Sequence, residues 1–268
     1  FQDYRDLLDS KDVDAVVVAT PDHWHALPSI HACQAGKDVY CEKPLTLTIR
    51  EGRQMVDAAR KHNRVVQTGS QQRSTVANRV ACQWVRDGHL GKVIEVIGSN
   101  YPSPWQCDFP AEDTPAGLNW DVWCGQAPLR PFHNDIFVSR SNPGWISFRD
   151  YSGGEMTGWG AHGLDQVQWA LGMDESGPVE IWTEGVPFNP PAYEKPAPRA
   201  RGEEPGTYPQ VVFRYASGVT LRLADGPPGG AVFVCERGKI TIDRGKFMID
   251  APDLERELRK TADLTPEA

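Results

Sequence analysis

The first 70 residues alternate between short apolar runs and segments whose apolar residues recur at helical spacing. Residues 13–20 form a continuous valine-rich run closed by Pro21, which is typical of a strand buried on both faces of a parallel sheet. Residues 26–35 repeat apolar positions at helical spacing and stop before Gly36, and residues 38–41 predict a second strand. The pattern predicts a right-handed βαβ unit.

Two further helices and one more strand are predicted around this unit. Residues 1–10 place Tyr4, Leu7 and Leu8 on one helical face. Residues 48–63 predict a helix that begins with a capping box, in which Thr48 and Glu51 each accept a hydrogen bond from the other's backbone N–H. Residues 64–68 predict the third strand. The first region is therefore expected to be α/β with a parallel sheet.

From residue 92 onward the pattern changes to alternating apolar and polar positions. Such alternation predicts half-buried strands joined by short turns, and hence a mostly antiparallel sheet. The predicted strands occupy residues 92–101, 178–188, 209–215, 219–225, 231–238, 239–244 and 246–251. Residues 76–88 predict an amphipathic helix that links the two regions. The second region is therefore expected to be α+β.

Two irregular segments interrupt the second region. Residues 102–154 contain seven prolines and are predicted to be mostly loop, and a loop of this length is typically functional or disordered. Six of the nine tryptophans lie between residues 105 and 169, which favours function. Residues 189–205 are rich in proline and charge and predict a mobile surface loop.

Composition and charge exclude several classes of protein. The net charge is −8 over 268 residues, which argues against nucleic acid or an anionic membrane as a partner. No apolar run approaches the roughly 18 residues that a membrane span needs. The six cysteines show no CxxC pairing, so free buried thiols are favoured over a disulfide framework.

The first candidate for chemistry is Lys43, directly after the second predicted strand. Open α/β sheets bind their ligands at the carboxyl ends of their strands, and Pro44 biases Lys43 toward an extended backbone. A lysine there can take a proton from a substrate hydroxyl. His23 and His25 form an HxH pair, but no acidic or cysteine cluster with ligand spacing accompanies them, so a metal site is not favoured.

The second candidate is His162, in a glycine-rich turn that opens a predicted helix. Asp165 lies three residues later, on the same helical face. An imidazole in this place can relay a proton or donate a hydrogen bond to a substrate hydroxyl. Flat apolar rings pack on the C–H faces of sugars, which makes Trp123 and Trp159 candidates for a sugar pocket, with Arg73 and Tyr101 as polar neighbours.

Three motifs together carry a resemblance to a known family. The sequence contains ATPDHWH at residues 19–25, EKPL at 42–45 and GGEMTGWGAHGLD at 153–165. It resembles the Gfo/Idh/MocA family of oxidoreductases, the glucose–fructose oxidoreductase and inositol dehydrogenase group, over nearly the whole chain. The resemblance implies part of a Rossmann-type NAD(P)-binding domain in residues 1–74 and an α+β substrate and oligomerisation domain in residues 75–268.

The resemblance also implies a reaction and its residues. The expected reaction is NAD- or NADP-dependent hydride transfer between the nicotinamide and a hydroxyl-bearing carbon of a sugar or cyclitol. Lys43 and His162 are expected to come from separate domains and to meet across one cleft. The expected catalytic residues are Lys43, His162 and Asp165; those expected to bind the cofactor are Thr20, Pro21, His25, Glu42, Lys43 and Gln71; those expected to bind substrate are Arg73, Tyr101, Trp123, Trp159 and His162.

The sequence departs from the family pattern at two places. Gly158 stands where family dehydrogenases commonly carry an aspartate, and Asp165 or Glu155 could supply the missing charge. No GxGxxG turn occurs, so the chain resembles one that lacks its first βαβ unit, and its polar carboxyl end resembles the beginning of further helices. Truncation at both ends is therefore expected.

Two alternative functions stay open on these residues. One is an NAD-assisted glycoside hydrolase that works by oxidation, elimination and re-reduction, and the other is a non-catalytic sugar-sensing relative. A homo-oligomer formed through the sheet of the second domain is expected. The expected compartment is the cytoplasm, with the periplasm as the alternative.

Overall fold

A computed structural model of the chain describes residues 1–101, 104–138, 144–189 and 207–261, together with the backbone of residues 192–193. The helices are α1 (Tyr4–Leu8), α2 (Ala26–Gln34), α3 (Ile49–His62), α4 (Val76–Arg86), α5 (Trp120–Cys124), α6 (Asn134–Phe137), α7 (Glu155–Gly158), α8 (Gly160–Ala170) and α9 (Pro252–Thr261). The strands are β1 (Ala15–Val18), β2 (Asp38–Cys41), β3 (Val66–Thr68), β4 (Val93–Ser99), β5 (Gln106–Cys107), β6 (Glu180–Glu184), β7 (Ala192–Tyr193), β8 (Gln210–Arg214), β9 (Thr220–Ala224), β10 (Ala231–Cys235), β11 (Gly238–Asp243) and β12 (Lys246–Ile249). Most of the predicted mobile loop at residues 189–205 lies outside the described residues.

Two compact units share the chain. The first unit comprises residues 1–69, 103–158 and 190–205, and the second comprises residues 70–102, 159–189 and 206–268. The long proline-rich insert thus packs with the amino-terminal region, although it follows β4 in the sequence. A division into domains at residues 74 and 75 stays a prediction of the sequence.

The first unit contains the predicted parallel sheet. Its three strands pair in the order β1-β2-β3, with Val18 opposite Cys41 and Cys41 opposite Thr68. Helices α2 and α3 pack together, and α2 also contacts β1 and β2. Their shared core is formed by Leu8, Val18, Ala26, Ala32, Cys33, Val39, Cys41, Met55 and Ala58. The βαβ prediction is confirmed.

The expectation that the first strand is buried on both faces is wrong. Val16 and Val18 pack toward the helices, but Val17, on the opposite face, is 72% exposed. Side chains alternate between the two faces of a strand. The core built with α1, α2 and α3 includes Val16 and Val18 of β1 but not Val17.

Helix α3 begins at the predicted capping box. The Thr48 hydroxyl accepts a hydrogen bond from the Glu51 backbone N–H at 3.3 Å, and the Glu51 carboxylate accepts one from the Thr48 N–H at 2.8 Å. The helix ends at Asn63, whose φ of 52° is the left-handed conformation common at helix ends. Local sequence therefore sets both ends of this helix.

The described part of the insert is mostly loop, as predicted, and it has a hydrophobic core of its own. Helices α5 and α6 and a short 3₁₀ turn at Trp145–Ser147 surround it, and β5 pairs with β7. This aromatic core consists of Trp105, Phe109, Trp120, Cys124, Phe132, Ile136, Phe148 and Tyr151. Each aromatic ring removes a large apolar area from water when it is buried. This burial stabilises a segment that has little regular structure.

The second unit contains the predicted antiparallel sheet. Its seven strands lie in the order β12-β11-β10-β4-β9-β8-β6, and every pair is antiparallel except β4 with β9. Helix α4 contacts β11 and β12, and α8 contacts β4 and β10. Val96, Leu223, Phe233, Ile240 and Ile242 are almost completely buried in this unit.

The other face of this sheet is partly apolar. Ile97, Val232, Thr241 and Met248 are aligned by the strand register, so their side chains share a face. Met248 is 64% exposed, and the other three are half-buried. Arg222, on the same face, pairs with Glu184 at 2.5 Å and with Glu95 at 3.6 Å.

Five of the six cysteines lie among the described side chains and are free and buried, as predicted. They are Cys33, Cys41, Cys82, Cys124 and Cys235, and burial raises the pKa of the Cys82 thiol to about 12. None of the helices in the described ranges has the length and apolar character that crossing a membrane requires.

Replacing Thr48 with alanine should destabilise the protein by about 1 kcal/mol, because the Glu51 backbone N–H at the start of α3 loses its side-chain acceptor. Urea unfolding followed by circular dichroism measures this difference. Thr48→Ser keeps the hydroxyl and should stay close to the parent stability. Equal midpoints for the alanine and serine variants would contradict a role for the capping box.

Candidate functional site

The loop after β1 holds the first group of predicted site residues. Thr20 is exposed and Pro21 is half-buried, whereas His25 is only 1% exposed. The His25 Nδ1 lies 2.6 Å from the Pro44 carbonyl oxygen, and its Nε2 lies 2.8 Å from the Thr20 carbonyl oxygen. Both ring nitrogens therefore face backbone carbonyl oxygens. His25 joins the loop after β1 to the loop after β2.

Asp22 is a buried carboxylate that the motif reasoning did not select. It is 3% exposed and accepts a hydrogen bond of 2.7 Å from the Ser152 hydroxyl. Burial raises the pKa of Asp22, while the Ser152 hydrogen bond and the nearby positive charges of His25 and Lys43 oppose that rise. Ser152 lies in the insert, 130 residues away in the sequence, so spacing alone gave no signal for this pair.

His23 and Trp24 attach the insert to the same loop. The Trp24 indole N–H donates to the Trp123 carbonyl oxygen at 2.9 Å, and the His23 Nε2 lies 2.9 Å from that same oxygen. A carbonyl only accepts, so Nε2 carries the His23 proton. Within the described residues, the buried Nδ1 of His23 has no hydrogen-bond partner, and burial lowers the pKa of His23, which favours this neutral form.

Trp123, predicted to line a sugar pocket, packs within the insert. Its ring stacks on Trp120 with centroids 4.6 Å apart and lies 5.2 Å from His23 and 5.1 Å from Tyr151. The ring is partly buried against the aromatic core. Its substrate role stays a prediction, and its backbone carbonyl has the structural role described above.

Glu42 and Lys43 follow β2 at the carboxyl edge of the parallel sheet. Both are half-buried, and the Lys43 backbone N–H donates to the Glu42 carboxylate at 3.1 Å. Gly69, which follows β3, comes so close that a Cβ there would lie 3.0 Å from the Glu42 carboxyl carbon. A side chain at residue 69 would displace Glu42, so glycine is required for this close approach. Thr20, Pro21, Glu42 and Lys43 thus lie on two neighbouring loops at one sheet edge.

Gln71 and Arg73 begin the second unit, in a 3₁₀ turn that precedes α4. Gln71 is exposed. Arg73 forms a bidentate ion pair with Asp165, with N···O distances of 2.8 Å and 2.9 Å, and also donates to Asp174 at 2.9 Å. The Asp165 carboxylate raises the pKa of Arg73. Asp165, predicted to be catalytic, is therefore engaged with a cation 92 residues earlier in the sequence.

His162 and Trp159 lie together at the beginning of α8. His162 is 6% exposed, and the two rings meet edge to face with centroids 5.9 Å apart. The Arg244 guanidinium lies over the Trp159 ring, 5.4 Å from the ring centroid. This is within the roughly 6 Å at which a cation is attracted to the π face. Lys43 belongs to the first unit and His162 to the second, so their meeting across a cleft stays a prediction.

Tyr101, predicted to bind substrate, is 3% exposed in the second unit. Its hydroxyl donates to the Pro228 carbonyl at 2.5 Å. A Cβ at Gly163 would lie 2.5 Å from this hydroxyl, so α8 approaches Tyr101 only because residue 163 is glycine. The contacts described for Tyr101 are those of a packing residue beneath α8, and contact with a substrate stays a prediction.

The Glu155 carboxylate lies next to Gly158, the residue that stands where family dehydrogenases carry an aspartate. A Cβ at Gly158 would lie 3.9 Å from the Glu155 carboxylate oxygen, within the first unit. Asp165, by contrast, is bound by Arg73. Of the two carboxylates that could replace the missing aspartate, Glu155 is therefore the one adjacent to residue 158.

The comparison with protein families identifies the class to which this fold and these loops belong. A family model described as an oxidoreductase family with an NAD-binding Rossmann fold matches residues 1–70, and the model of the C-terminal alpha/beta domain of the same family matches residues 83–268. The chain belongs to the Gfo/Idh/MocA oxidoreductase family.

Individual relatives match over shorter stretches. Levoglucosan dehydrogenase of Pseudarthrobacter phenanthrenivorans is 36% identical over 106 residues, which are 40% of this chain and 27% of the relative. Inositol 2-dehydrogenase of Salmonella typhimurium is 31% identical over 102 residues, which are 38% of this chain and 30% of the relative. The matched stretch is thus less than a third of each of these two curated relatives.

Solved structures share the fold over most of the chain. A levoglucosan dehydrogenase in complex with NADH and levoglucosan aligns with a TM-score of 0.60 at 21% identity, covering 94% of this chain and 62% of that one. An aldose–aldose oxidoreductase from Caulobacter crescentus, complexed with glycerol, aligns with a TM-score of 0.58 at 22% identity, covering 92% and 61%. At this identity the likeness concerns the fold alone.

The side chains at the parallel-sheet edge are chemically compatible with a dinucleotide. Glu42 offers carboxylate oxygens, which are strong acceptors for hydroxyl groups, and Gly69 leaves room for the Glu42 side chain. Within the described ranges, no group of three or more His, Cys, Asp or Glu side chains is arranged to hold a metal ion.

A double-mutant cycle should detect the ion pair that engages Asp165. We expect Arg73→Met and Asp165→Asn to show a coupling free energy of about 1 kcal/mol in urea unfolding. Solvent screens the attraction of a bidentate, partly buried ion pair less than that of an exposed pair. The exposed pair of Arg53 and Asp57 on α3 serves as the matched control, with an expected coupling of a few tenths of a kcal/mol. Additive effects at residues 73 and 165 would contradict the assignment.

Proposed function

We propose that this chain belongs to an NAD(P)-dependent oxidoreductase that moves a hydride between the nicotinamide and a hydroxyl-bearing carbon of a sugar or cyclitol. The observation that carries the proposal is the placement of Lys43 at the carboxyl edge of the parallel sheet, beside Glu42 and close to the buried Asp22. This edge is where open α/β sheets bind their ligands.

The side chains of the first unit have distinct proposed roles. Lys43 accepts the proton of the substrate hydroxyl as the carbon is oxidised, and returns it in the reverse direction. Glu42 binds the cofactor ribose, and Thr20 and Pro21 line the cofactor. The bound nicotinamide supplies the hydride acceptor or donor. His25 supports this arrangement through the Pro44 and Thr20 carbonyls.

The second unit supplies the proposed contacts with substrate. His162 relays the proton or donates to a sugar hydroxyl, and the Trp159 ring packs on the C–H face of the sugar. Gln71, in the turn after β3, binds the cofactor in this proposal. Asp165 acts through Arg73 rather than on the substrate, because its two oxygens already accept from the guanidinium.

The names of the relatives support the proposed substrate class. Levoglucosan, inositol and 1,5-anhydro-D-fructose, which appear in the names of three relatives, are compact polyols or anhydrosugars. Each offers a secondary hydroxyl or a ring carbonyl to a nicotinamide. A screen of these three compounds with NAD, NADH, NADP and NADPH is the appropriate first assay for the full-length protein.

Lys43→Met should abolish turnover of whichever compound the screen identifies, with a fall in kcat of at least about 1,000-fold, while cofactor affinity changes by only a few-fold. Methionine has about the same length as the lysine stem but cannot take a proton. Stopped-flow absorbance of NADH and titration calorimetry measure the two quantities. The exposed Lys61→Met on α3 is the matched control.

Two results would contradict this role of Lys43. An active Lys43→Met variant would show that another group takes the proton. Loss of cofactor binding in step with loss of turnover would show that the lysine binds the dinucleotide and does not act in the chemical step.

We also propose that the partly apolar face of the seven-stranded sheet pairs two copies of the chain. Ile97, Val232 and Met248 place apolar side chains on this face, beside the charges of Arg222 and Glu95. A face of mixed apolar and charged residues is typical of a subunit interface, and a twofold axis brings the same face of both copies together.

Val232→Glu combined with Met248→Glu should convert the oligomer to a monomer, because four like charges would meet across the twofold axis. Light scattering after size exclusion measures the mass, and circular dichroism reports folding. Ile49→Glu, at a 95% exposed residue of the first unit, is the control. A folded double variant of unchanged mass would exclude this face as the interface.

A further inference from the structure

The segment between β1 and α2 is fixed on two sides within the first unit. On one side, the His23 backbone N–H donates to the Tyr151 carbonyl at 3.2 Å, and Asp22 accepts from the Ser152 hydroxyl. On the other side, the His25 ring lies against the Pro44 carbonyl, directly after Lys43. Asp22 is therefore built into the support of the loop that carries Lys43.

The Ser152 hydroxyl is itself oriented. It accepts a hydrogen bond from the Gly154 backbone N–H at 3.1 Å, and its own proton is directed at the Asp22 carboxylate. Ser152 is 1% exposed and Asp22 is 3% exposed, so both act with almost no contact with water. A buried carboxylate is costly unless it is hydrogen-bonded and paired with positive charge.

We propose that Asp22, oriented by Ser152, is a positioning residue for Lys43: its carboxylate holds the side chain of Lys43 and stabilises the ammonium that forms when Lys43 accepts a proton. The catalytic part of this proposal rests on the function proposed above. The pairing of the Asp22 and Lys43 side chains is independent of that function.

The chemical consequence follows from the charge balance. When the O–H bond of a substrate breaks, the proton forms a new N–H bond on Lys43 Nζ, and a positive charge appears there. A neighbouring carboxylate favours that charge, and a close pair of this kind raises the pKa of an amine by about 1 to 3 units. Asp22 and Lys43 interact electrostatically in this structure. Among the described residues, the other charged or titratable groups near this pair are His23, His25, Cys41, Glu42 and Glu51.

Competitive labelling with acetic anhydride measures the amine form of Lys43 directly and needs neither cofactor nor substrate. The extent of acetylation of the Lys43 peptide is read by mass spectrometry between about pH 6 and pH 11. Asp22→Asn keeps the shape and removes the charge. We expect the labelling midpoint to fall by about one pH unit, so that labelling at pH 8 is about tenfold faster.

Two further variants complete the experiment. Ser152→Ala deletes only the oriented hydroxyl and should move the midpoint in the same direction by a smaller amount, which provides a test should Asp22→Asn fold poorly. Asp14→Asn, at an exposed residue before β1, should leave the midpoint unchanged. An unchanged Lys43 midpoint in folded Asp22→Asn, or in folded Ser152→Ala where Asp22→Asn does not fold, would overturn the proposal.

The pH profile of turnover separates this proposal from the proposed function. With levoglucosan and NAD as the assay pair, the acid limb of kcat in Asp22→Asn should move to lower pH by the same amount as the labelling midpoint, with the KM for NAD unchanged. A labelling shift in a protein that oxidises none of the screened compounds would count against the function and uphold the pairing. A labelling shift with an unmoved acid limb in an active enzyme would overturn the catalytic part.

Discussion

The parallel pairing of β1, β2 and β3 is the constraint on which the candidate site depends. Parallel strands end at the same edge of a sheet, so the loops that follow them become neighbours. This pairing brings the loop of Thr20 and Pro21 beside the loop of Glu42 and Lys43. The register of β2 with β3 then places Gly69 in close contact with Glu42. Any larger residue at position 69 would displace the Glu42 side chain.

Buried polar groups hold these loops in place. The His25 ring lies between two backbone carbonyls, and Asp22 combines a serine hydrogen bond with nearby positive charge. Such groups are costly to bury alone and favourable when every partner is present, so they specify one arrangement of the loops. The insert supplies part of this network, which explains why a segment with so little regular structure needs an aromatic core of its own.

Local signals in the sequence predicted most of the fold. Alternation and helical spacing were sufficient for the βαβ unit, the capping box of α3 and six strands of the antiparallel sheet after the insert, because each depends on residues close together in the chain. Burial of Val17 was predicted wrongly, since a strand pattern alone does not say which faces of a sheet the rest of the chain covers.

The site was less predictable because its contacts are distant in the sequence. Motif reasoning selected Lys43 and His162 but missed Asp22, whose partner Ser152 is 130 residues away, and it could not choose between Glu155 and Asp165. The pairing of Arg73 with Asp165 spans 92 residues and likewise has no local signal. Family resemblance supplied the candidates, and three-dimensional contacts were needed to show what surrounds each of them.

The central claim is that the Lys43 amine exchanges a proton with the hydroxyl that is oxidised. A crystal structure of the full-length protein with NADH and a bound polyol tests it most directly. The account predicts Lys43 Nζ within hydrogen-bond distance, about 2.6 to 3.2 Å, of the oxygen on the carbon that faces the nicotinamide. A bound polyol whose reacting oxygen contacts other side chains, with Lys43 directed away from it, would contradict the account.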